Sequence, residues 1–207
     1  MSNKINTIIF DLGGVLIDWN PLYVFNDLIP DAERRQEFFD TICTNYWNEQ
    51  QDAGTPIAQA TAERIALFPT WENEIRAYYG RWVEMLGEAN HGTVNILKNL
   101  IDSPDYRVYA LTNWSAETFP IAKSIERFQF LHWFEGILVS GEEHLLKPQP
   151  EIYEAILSRY DIDRTKAVFI DDNYKNVLGS EAVGLKAIHF TTAELLSKEL
   201  KELGILL

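Results

Sequence analysis

Four short polar segments of this sequence carry side chains that could attack, bind or neutralise an anionic group. They are Asp11, Thr112-Asn113, Lys147 and Asp171-Asp172. All but the lysine directly follow short apolar runs typical of buried strands, and the lysine lies in a loop after another such run. Since ligands of parallel sheets bind beyond the carboxyl ends of the strands, we expect these side chains to share one edge of a sheet.

Asp11 ends the apolar run at residues 8–10 and precedes the turn Leu12-Gly13-Gly14-Val15. Its carboxylate could act as a nucleophile, and glycines in the turn let the backbone approach a bound anion closely. An ordinary tight turn after a strand has the same composition, so this motif alone leaves both interpretations open.

Thr112 and Asn113 follow the strand predicted at residues 108–111. A hydroxyl, an amide and the start of a helix at this place could donate hydrogen bonds to phosphoryl oxygens. Helix capping by Thr112 or Ser115 explains the same residues at least as well when the motif is taken alone.

Lys147 precedes Pro148 in the loop between a strand at 137–139 and a helix that carries Ile152 and Ile156. Its compact ammonium could offset charge on a transferring phosphoryl group and on Asp11. Taken by itself, a lysine before a proline is more simply explained as solvated surface.

Asp171 and Asp172 follow the hydrophobic run at 167–170, which is typical of a central strand. Two adjacent carboxylates at a strand end repel each other unless a cation lies nearby. Magnesium prefers oxygen ligands and accompanies phosphate groups, so the pair predicts a magnesium site. This is the strongest single clue to function in the sequence.

The elements that position these residues follow from the hydrophobic pattern. From residue 91 onward, helices alternate with strands predicted at 108–111, 137–139, 167–170 and 187–190. That alternation is typical of an α/β fold with a doubly wound, Rossmann-like parallel sheet. Residues 17–90 instead show helix starts at Asn20-Pro21, Pro30-Asp31, Thr55-Pro56 and Thr70. We therefore expect a Rossmann-like core from residues 1–16 and 91–207, with an inserted all-helical cap at 17–90.

Composition limits the possible partners. The 207 residues carry 18 basic and 31 acidic side chains, a formal net charge of -13, which repels nucleic acid and anionic membranes. A small anionic substrate stays possible, because a bound divalent cation and a local lysine reverse the potential inside a pocket. The polar N-terminus predicts neither a signal peptide nor a spanning helix, so we expect a cytoplasmic protein. Cys43 is the single cysteine and is expected to be a buried apolar residue.

Taken together, the four segments resemble the four signature motifs of the haloacid dehalogenase-like hydrolases, in order and over essentially the whole chain. The helical segment after Asp11 is similar to that family's cap in its most N-terminal position. The resemblance implies an aspartyl-phosphate formed on Asp11, with Thr112, Asn113 and Lys147 binding the phosphoryl group and Lys147 also steadying charge. It implies magnesium held by Asp11, the backbone carbonyl of Gly13 and Asp172, with Asp171 as a direct or water-mediated ligand. The expected activity is magnesium-dependent hydrolysis of small phosphorylated metabolites.

The sequence departs from the family pattern at Gly13. Most phosphatases of this family have an aspartate two residues after the nucleophile, which protonates the leaving oxygen; such an acid contributes roughly 10² to 10⁴ in rate. A branch that resembles bacterial alpha-glucose-1-phosphate phosphatases also has Asp-Leu-Gly here, which favours a sugar phosphate as substrate. The missing acid leaves open a degenerate member that binds a ligand or protein without turnover. A 2-haloacid dehalogenase is a further alternative, which the pair Asp171-Asp172 disfavours.

Overall fold

The computed structural model describes residues 4–206, and its centre is a parallel β-sheet. The strands in chain order are β1 (Thr7–Phe10), β2 (Ile17–Trp19), β3 (Leu86–Ala89), β4 (Arg107–Thr112), β5 (Gly136–Val139), β6 (Ala167–Asp171) and β7 (Ala187–His189). Five of them form the central sheet in the order β5-β4-β1-β6-β7, and each neighbouring pair in it is parallel. The other two, β2 and β3, form a separate pair. The predicted doubly wound sheet is therefore confirmed.

Helices cover both faces of this sheet and fill the segment between β2 and β3. In chain order they are α1 (Leu22–Leu28), α2 (Ala32–Glu37), α3 (Asn45–Asp52), α4 (Ile57–Leu67), α5 (Glu72–Gly80), α6 (His91–Asp102), α7 (Phe119–Ser124), α8 (Ser140–Glu143), α9 (Pro150–Arg159), α10 (Tyr174–Ala182) and α11 (Ala193–Glu202). A π-helical turn spans Phe38–Ile42, and short 3₁₀ helices span Pro69–Trp71, Trp82–Met85, Glu126–His132 and Arg164–Lys166. No helix within residues 4–206 combines the length and the apolar character needed to cross a bilayer.

The central strand β1 is buried on both faces, which explains its uninterrupted apolar run. Successive side chains of a strand point to opposite faces. Ile8 and Phe10 accordingly belong to one hydrophobic cluster, whereas Ile9 belongs to a second cluster on the other face. This two-sided packing fixes the position at which β1 ends, and therefore the position of the residue that follows it.

The structure differs from the all-helical expectation at both ends of segment 17–90. β2 and β3 form an antiparallel pair, with Ile17 opposite Ala89 and Trp19 opposite Leu86. Gly87 interrupts the helical pattern there, and a β-carbon at that position would lie 2.2 Å from a carboxylate oxygen of Asp18. The chain thus enters and leaves the inserted segment through neighbouring strands.

The helices between these two strands pack around an aromatic cluster of their own. Phe25 stacks on Phe38 with 4.7 Å between ring centroids, and Trp47 meets Tyr78 edge-on at 5.2 Å. Trp47 lies on α3, a helix that the sequence pattern does not predict. The hydroxyl of Thr44 caps α3 by accepting a hydrogen bond from the Trp47 N–H at 3.1 Å. Cys43 is buried beside this cluster, as expected.

Candidate active site

The predicted site residues meet at the carboxyl edge of the sheet. Asp11 directly follows β1, Thr112 is the last residue of β4, and Asp171 is the last residue of β6. β1 lies between β4 and β6, with Phe10 opposite Ala110 on one side and Ile170 on the other. The three strand ends therefore place these side chains next to one another, although they are far apart in sequence.

Lys147 occupies the centre of the site, with a side chain only 1% exposed. Its ammonium lies 2.9 Å from Asp11 Oδ1 and 2.7 Å from Asp171 Oδ2, and it donates to the backbone carbonyl of Leu111 at 3.1 Å. These three partners match the three donors of an ammonium group. The simpler interpretation of Lys147 as solvated surface is therefore wrong.

The charges of the site do not balance within the protein. Burial raises the pKa of Asp11, Lys147 opposes that rise, and the nearby Asp171 and Asp172 add to it. Burial also disfavours the charged form of Lys147, but Asp11 and Asp171 outweigh it and hold the lysine pKa above its ordinary value. Three carboxylates face one ammonium, so the site favours an additional cation.

Asp171 and Asp172 have different surroundings despite being neighbours. Asp171 is fully buried and accepts hydrogen bonds from Lys147, from the Asn173 N–H at 2.7 Å and from the Asn176 side chain at 3.0 Å. Asp172 is exposed toward the cavity; partial desolvation by the surrounding protein, followed by the charge of Asp171, raises the pKa of its carboxyl group. One oxygen from each of Asp11, Asp171 and Asp172 lies within 4.8 Å of the others. An all-oxygen set of this kind suits magnesium.

Asn113 contacts the site in a way that the sequence does not predict. Its side-chain amide donates to the Lys147 carbonyl at 3.0 Å, and its side-chain oxygen accepts from the Lys147 N–H at 2.9 Å. The carboxamide therefore holds the loop that carries the lysine, rather than pointing both polar atoms at a ligand. Asn176 has a similar supporting place beside Asp171, and its only sequence signal is its position shortly after the acidic pair.

The two glycines of the turn after Asp11 have different structural requirements. Gly14 has a φ of +72°, and a β-carbon there would lie 2.2 Å from Asp172 Oδ2. Gly13 lacks a positive φ, and nothing lies within 4 Å of a β-carbon built on it. Gly14 is thus required by the close approach of Asp172, whereas the turn has room for a side chain at position 13.

We expect Gly14→Ala to destabilise the protein by roughly 1 to 2 kcal/mol, because alanine disfavours a positive φ and its methyl group displaces Asp172. Gly13→Ala is the matched control and should change the free energy of unfolding much less. Urea denaturation of both variants measures the difference. Equal free energies of unfolding for the two variants would contradict this account of the turn.

A cavity of about 500 Å³ opens above these residues. Asp11, Thr112, Lys147 and Asp172 line its floor, and helical residues of segment 17–90 contribute Asn45, Asn48, Glu49, Asp52, Tyr79 and Trp82. Trp19 and Trp114 also line it, and Trp114 packs edge-on against Trp82 with 5.6 Å between ring centroids. The cavity therefore joins the carboxyl edge of the sheet to the inserted helices.

Comparison with known proteins gives consistent matches. The family model of the haloacid dehalogenase-like hydrolases matches residues 5–184 of this chain. Among curated proteins, the chain is 28% identical to the sesquiterpene phosphatase astK of Aspergillus oryzae, over 98% of each chain. It is 24% identical to the pyrophosphatase PpaX of Bacillus cereus, over 88% of this chain and 82% of the relative.

A solved structure shares the fold over nearly the whole chain. The haloacid dehalogenase family enzyme bt-2542 of Bacteroides thetaiotaomicron aligns with a TM-score of 0.74 at 24% identity, over 95% of this chain and 98% of its own. The same enzyme has been solved in complex with magnesium and inorganic phosphate, and that structure aligns with a TM-score of 0.69 over 91% of this chain and 95% of its own.

Proposed function

The chain belongs to the haloacid dehalogenase-like hydrolase family, and on that premise we propose that it is a magnesium-dependent phosphohydrolase of small phosphate monoesters. The observation that carries the proposal is the buried ammonium of Lys147, which lies 2.9 Å from Asp11 and 2.7 Å from Asp171 at the floor of the cavity. A carboxylate next to a fixed cation suits in-line attack on an anionic phosphorus centre.

Asp11 is the proposed nucleophile. Its Oδ1 accepts hydrogen bonds from the Leu12 N–H at 2.7 Å and from Lys147, which fixes the orientation of the carboxylate. The bond from Asp11 to phosphorus forms as the ester oxygen leaves, and water later releases phosphate from the aspartyl-phosphate. Thr112 lines the floor beside Asp11 and is the proposed donor to a phosphoryl oxygen, while Asn113 holds the lysine loop in place.

The residues present fit a magnesium ion. Asp11, the Gly13 carbonyl and Asp172 would hold it, with Asp171 as a direct or water-mediated ligand; their carboxylate oxygens are already close together. When bound, the ion neutralises charge on the carboxylates and on the phosphoryl group. The same acidic pair disfavours the dehalogenase alternative, since displacement of halide from carbon needs no cation.

We expect magnesium to raise the midpoint of thermal unfolding, because an ion bound only by the folded state stabilises it by about 2.7 kcal/mol at one hundred times its Kd. Asp172→Ala should remove most of that rise. Asp102→Ala, at an exposed position of α6 outside the cavity, is the control and should keep it. An undiminished magnesium effect in Asp172→Ala would move the metal site elsewhere.

We propose residues 17–90 as a cap over the active site. The segment has its own hydrophobic cluster and joins the core through the strands β2 and β3.

The proposed substrate is a sugar phosphate. The amide side chains of Asn45 and Asn48 line the cavity together with the aromatic rings of Trp19 and Trp82, a combination that suits hydroxyl groups on an apolar ring. This supports the branch that resembles alpha-glucose-1-phosphate phosphatases.

A panel of phosphate esters with and without magnesium tests the proposal. It should include hexose phosphates, an isoprenoid phosphate, inorganic pyrophosphate and a 2-haloacid. The isoprenoid phosphate and the pyrophosphate are included because one relative is named a sesquiterpene phosphatase and another a pyrophosphatase. We expect magnesium-dependent release of phosphate, fastest with a hexose phosphate. Absence of turnover on every ester would favour a binding protein, and halide release without metal would favour dehalogenation.

A further inference from the structure

Gly13 leaves the proposed reaction without a proton donor at the position where most family members have one. An alkyl alcohol leaves phosphorus slowly unless its oxygen is protonated as the bond breaks. A donor must therefore reach the leaving group from another wall of the cavity. The acidic side chains that line it from the cap are Glu49 and Asp52, both on α3.

Asp52 is held in place by both the cap and the core. Ser140, which follows β5, donates its hydroxyl proton to the Asp52 backbone carbonyl at 2.5 Å, and the His144 ring lies 3.2 Å from the next carbonyl, that of Ala53. These contacts fix the C-terminal end of α3 against the loops at the edge of the sheet. Asp52 lines the same cavity as Asp11.

A second set of contacts orients the carboxyl group itself. The Asn48 side-chain amide donates to Asp52 Oδ2 at 3.0 Å, and the Tyr79 hydroxyl donates to the Asn48 side-chain oxygen at 2.9 Å. The tyrosine thus fixes the amide so that its NH₂ group faces Asp52. Within residues 4–206, the Glu49 carboxylate accepts no hydrogen bond that would orient it in the same way.

The surroundings of Asp52 also keep its carboxyl group partly protonated at neutral pH. Burial, followed by the nearby charge of Glu49, raises the pKa of Asp52 to about 7, although a backbone hydrogen bond from Ser115 opposes the rise. A general acid works best when its pKa lies close to the working pH. Asp18, another acid near the turn, instead accepts a hydrogen bond from Tyr23 and does not line the cavity.

We propose that Asp52 is the general acid and base of this enzyme, in place of the side chain that Gly13 lacks. The inference rests on the proposed phosphohydrolase function. As Asp11 attacks phosphorus and the ester bond breaks, the Asp52 carboxyl group gives its proton to the leaving oxygen, which departs as the alcohol. The Asp52 carboxylate then takes a proton from the water that attacks phosphorus, and the bond from phosphorus to Asp11 breaks to release phosphate.

Leaving-group dependence tests this role. In Asp52→Asn, kcat/KM for a hexose 6-phosphate should fall by roughly 10² to 10⁴, because the alkoxide then leaves without a proton. With p-nitrophenyl phosphate the first turnover should keep its rate, since nitrophenolate leaves without a proton. The variant lacks the carboxylate that takes a proton from water, so the attack of water on the aspartyl-phosphate is slowed. A burst of nitrophenolate equal to the enzyme concentration should therefore precede a slow steady state. Asp40→Asn, an exposed aspartate of the cap outside the cavity, is the matched control and should behave as the parent.

A rescue experiment separates proton donation from folding. Gly13→Asp in the Asp52→Asn background restores an acid where the turn has room for a side chain, and should recover hydrolysis of the alkyl ester. An equal first-turnover loss with both esters, or an unchanged alkyl rate in Asp52→Asn, would overturn the role of Asp52. A parent protein that hydrolyses neither ester would instead overturn the proposed function itself.

Discussion

Replacement of Asp11 by asparagine is expected to lower kcat by roughly 10⁴-fold or more, a loss comparable to that caused by removing the covalent nucleophile from other enzymes. An amide is a poor nucleophile toward phosphorus, whereas the Asp11 carboxylate, the proposed nucleophile, is oriented by Lys147 and the Leu12 N–H. The fold should survive, because asparagine has nearly the same shape and removes a negative charge from a site with an excess of them. Steady-state kinetics with p-nitrophenyl phosphate and thermal unfolding measure both effects.

The control for Asp11→Asn is Asp102→Asn, which makes the same chemical change on the exposed face of α6. It should keep the parent rate. Activity of Asp11→Asn within about tenfold of the parent would remove Asp11 from the nucleophile role, since removal of a covalent nucleophile costs far more than tenfold in kcat.

Replacement of Lys147 by methionine is expected to have the largest effect on stability. The change keeps most of the length of the side chain but leaves the carboxylates of Asp11 and Asp171 without their shared cation. Removal of one partner from a buried ion pair costs about 3 to 5 kcal/mol. Urea denaturation at neutral pH in the absence of magnesium should show a free energy of unfolding lower by about that amount, and turnover should be lost as well.

A double variant distinguishes unpaired charge from simple loss of packing. Asp171→Asn in the Lys147→Met background removes one of the stranded carboxylates, so it should recover part of the lost stability, and the two changes should be non-additive. A double variant whose destabilisation equals the sum of the two single ones would contradict the charge explanation.

The sheet was predictable because its strands are short apolar runs, the central ones β1 and β6 buried on both faces, and each run ends where polar residues begin. The edge that collects Asp11, Thr112 and Asp171 follows from that pattern together with the parallel arrangement. The pairing of β2 with β3 was not predictable, because Ile17–Trp19 is too short to show a strand period and its partner lies far along the chain. Gly87 and Glu88 in β3 also lack the composition of a strand.

The supporting contacts of the site were less predictable than its charged residues. The bidentate contact of Asn113 with the Lys147 backbone depends on how two loops meet, which no local pattern encodes. Asp52 has no motif around it in sequence, and its place over the cavity results from the packing of α3 against the core. Side chains from the cap therefore need the tertiary structure before a function can be proposed for them.

Trapping of the covalent intermediate tests the central claim most directly. The protein is mixed with p-nitrophenyl phosphate and magnesium, quenched rapidly in acid, digested and measured by mass spectrometry. We predict that the peptide containing Asp11 gains the mass of one phosphoryl group, that the gain requires magnesium, and that Asp11→Asn shows none. Turnover with no phosphorylated peptide at any quench time, or phosphorylation that persists in Asp11→Asn, would contradict nucleophilic catalysis by Asp11.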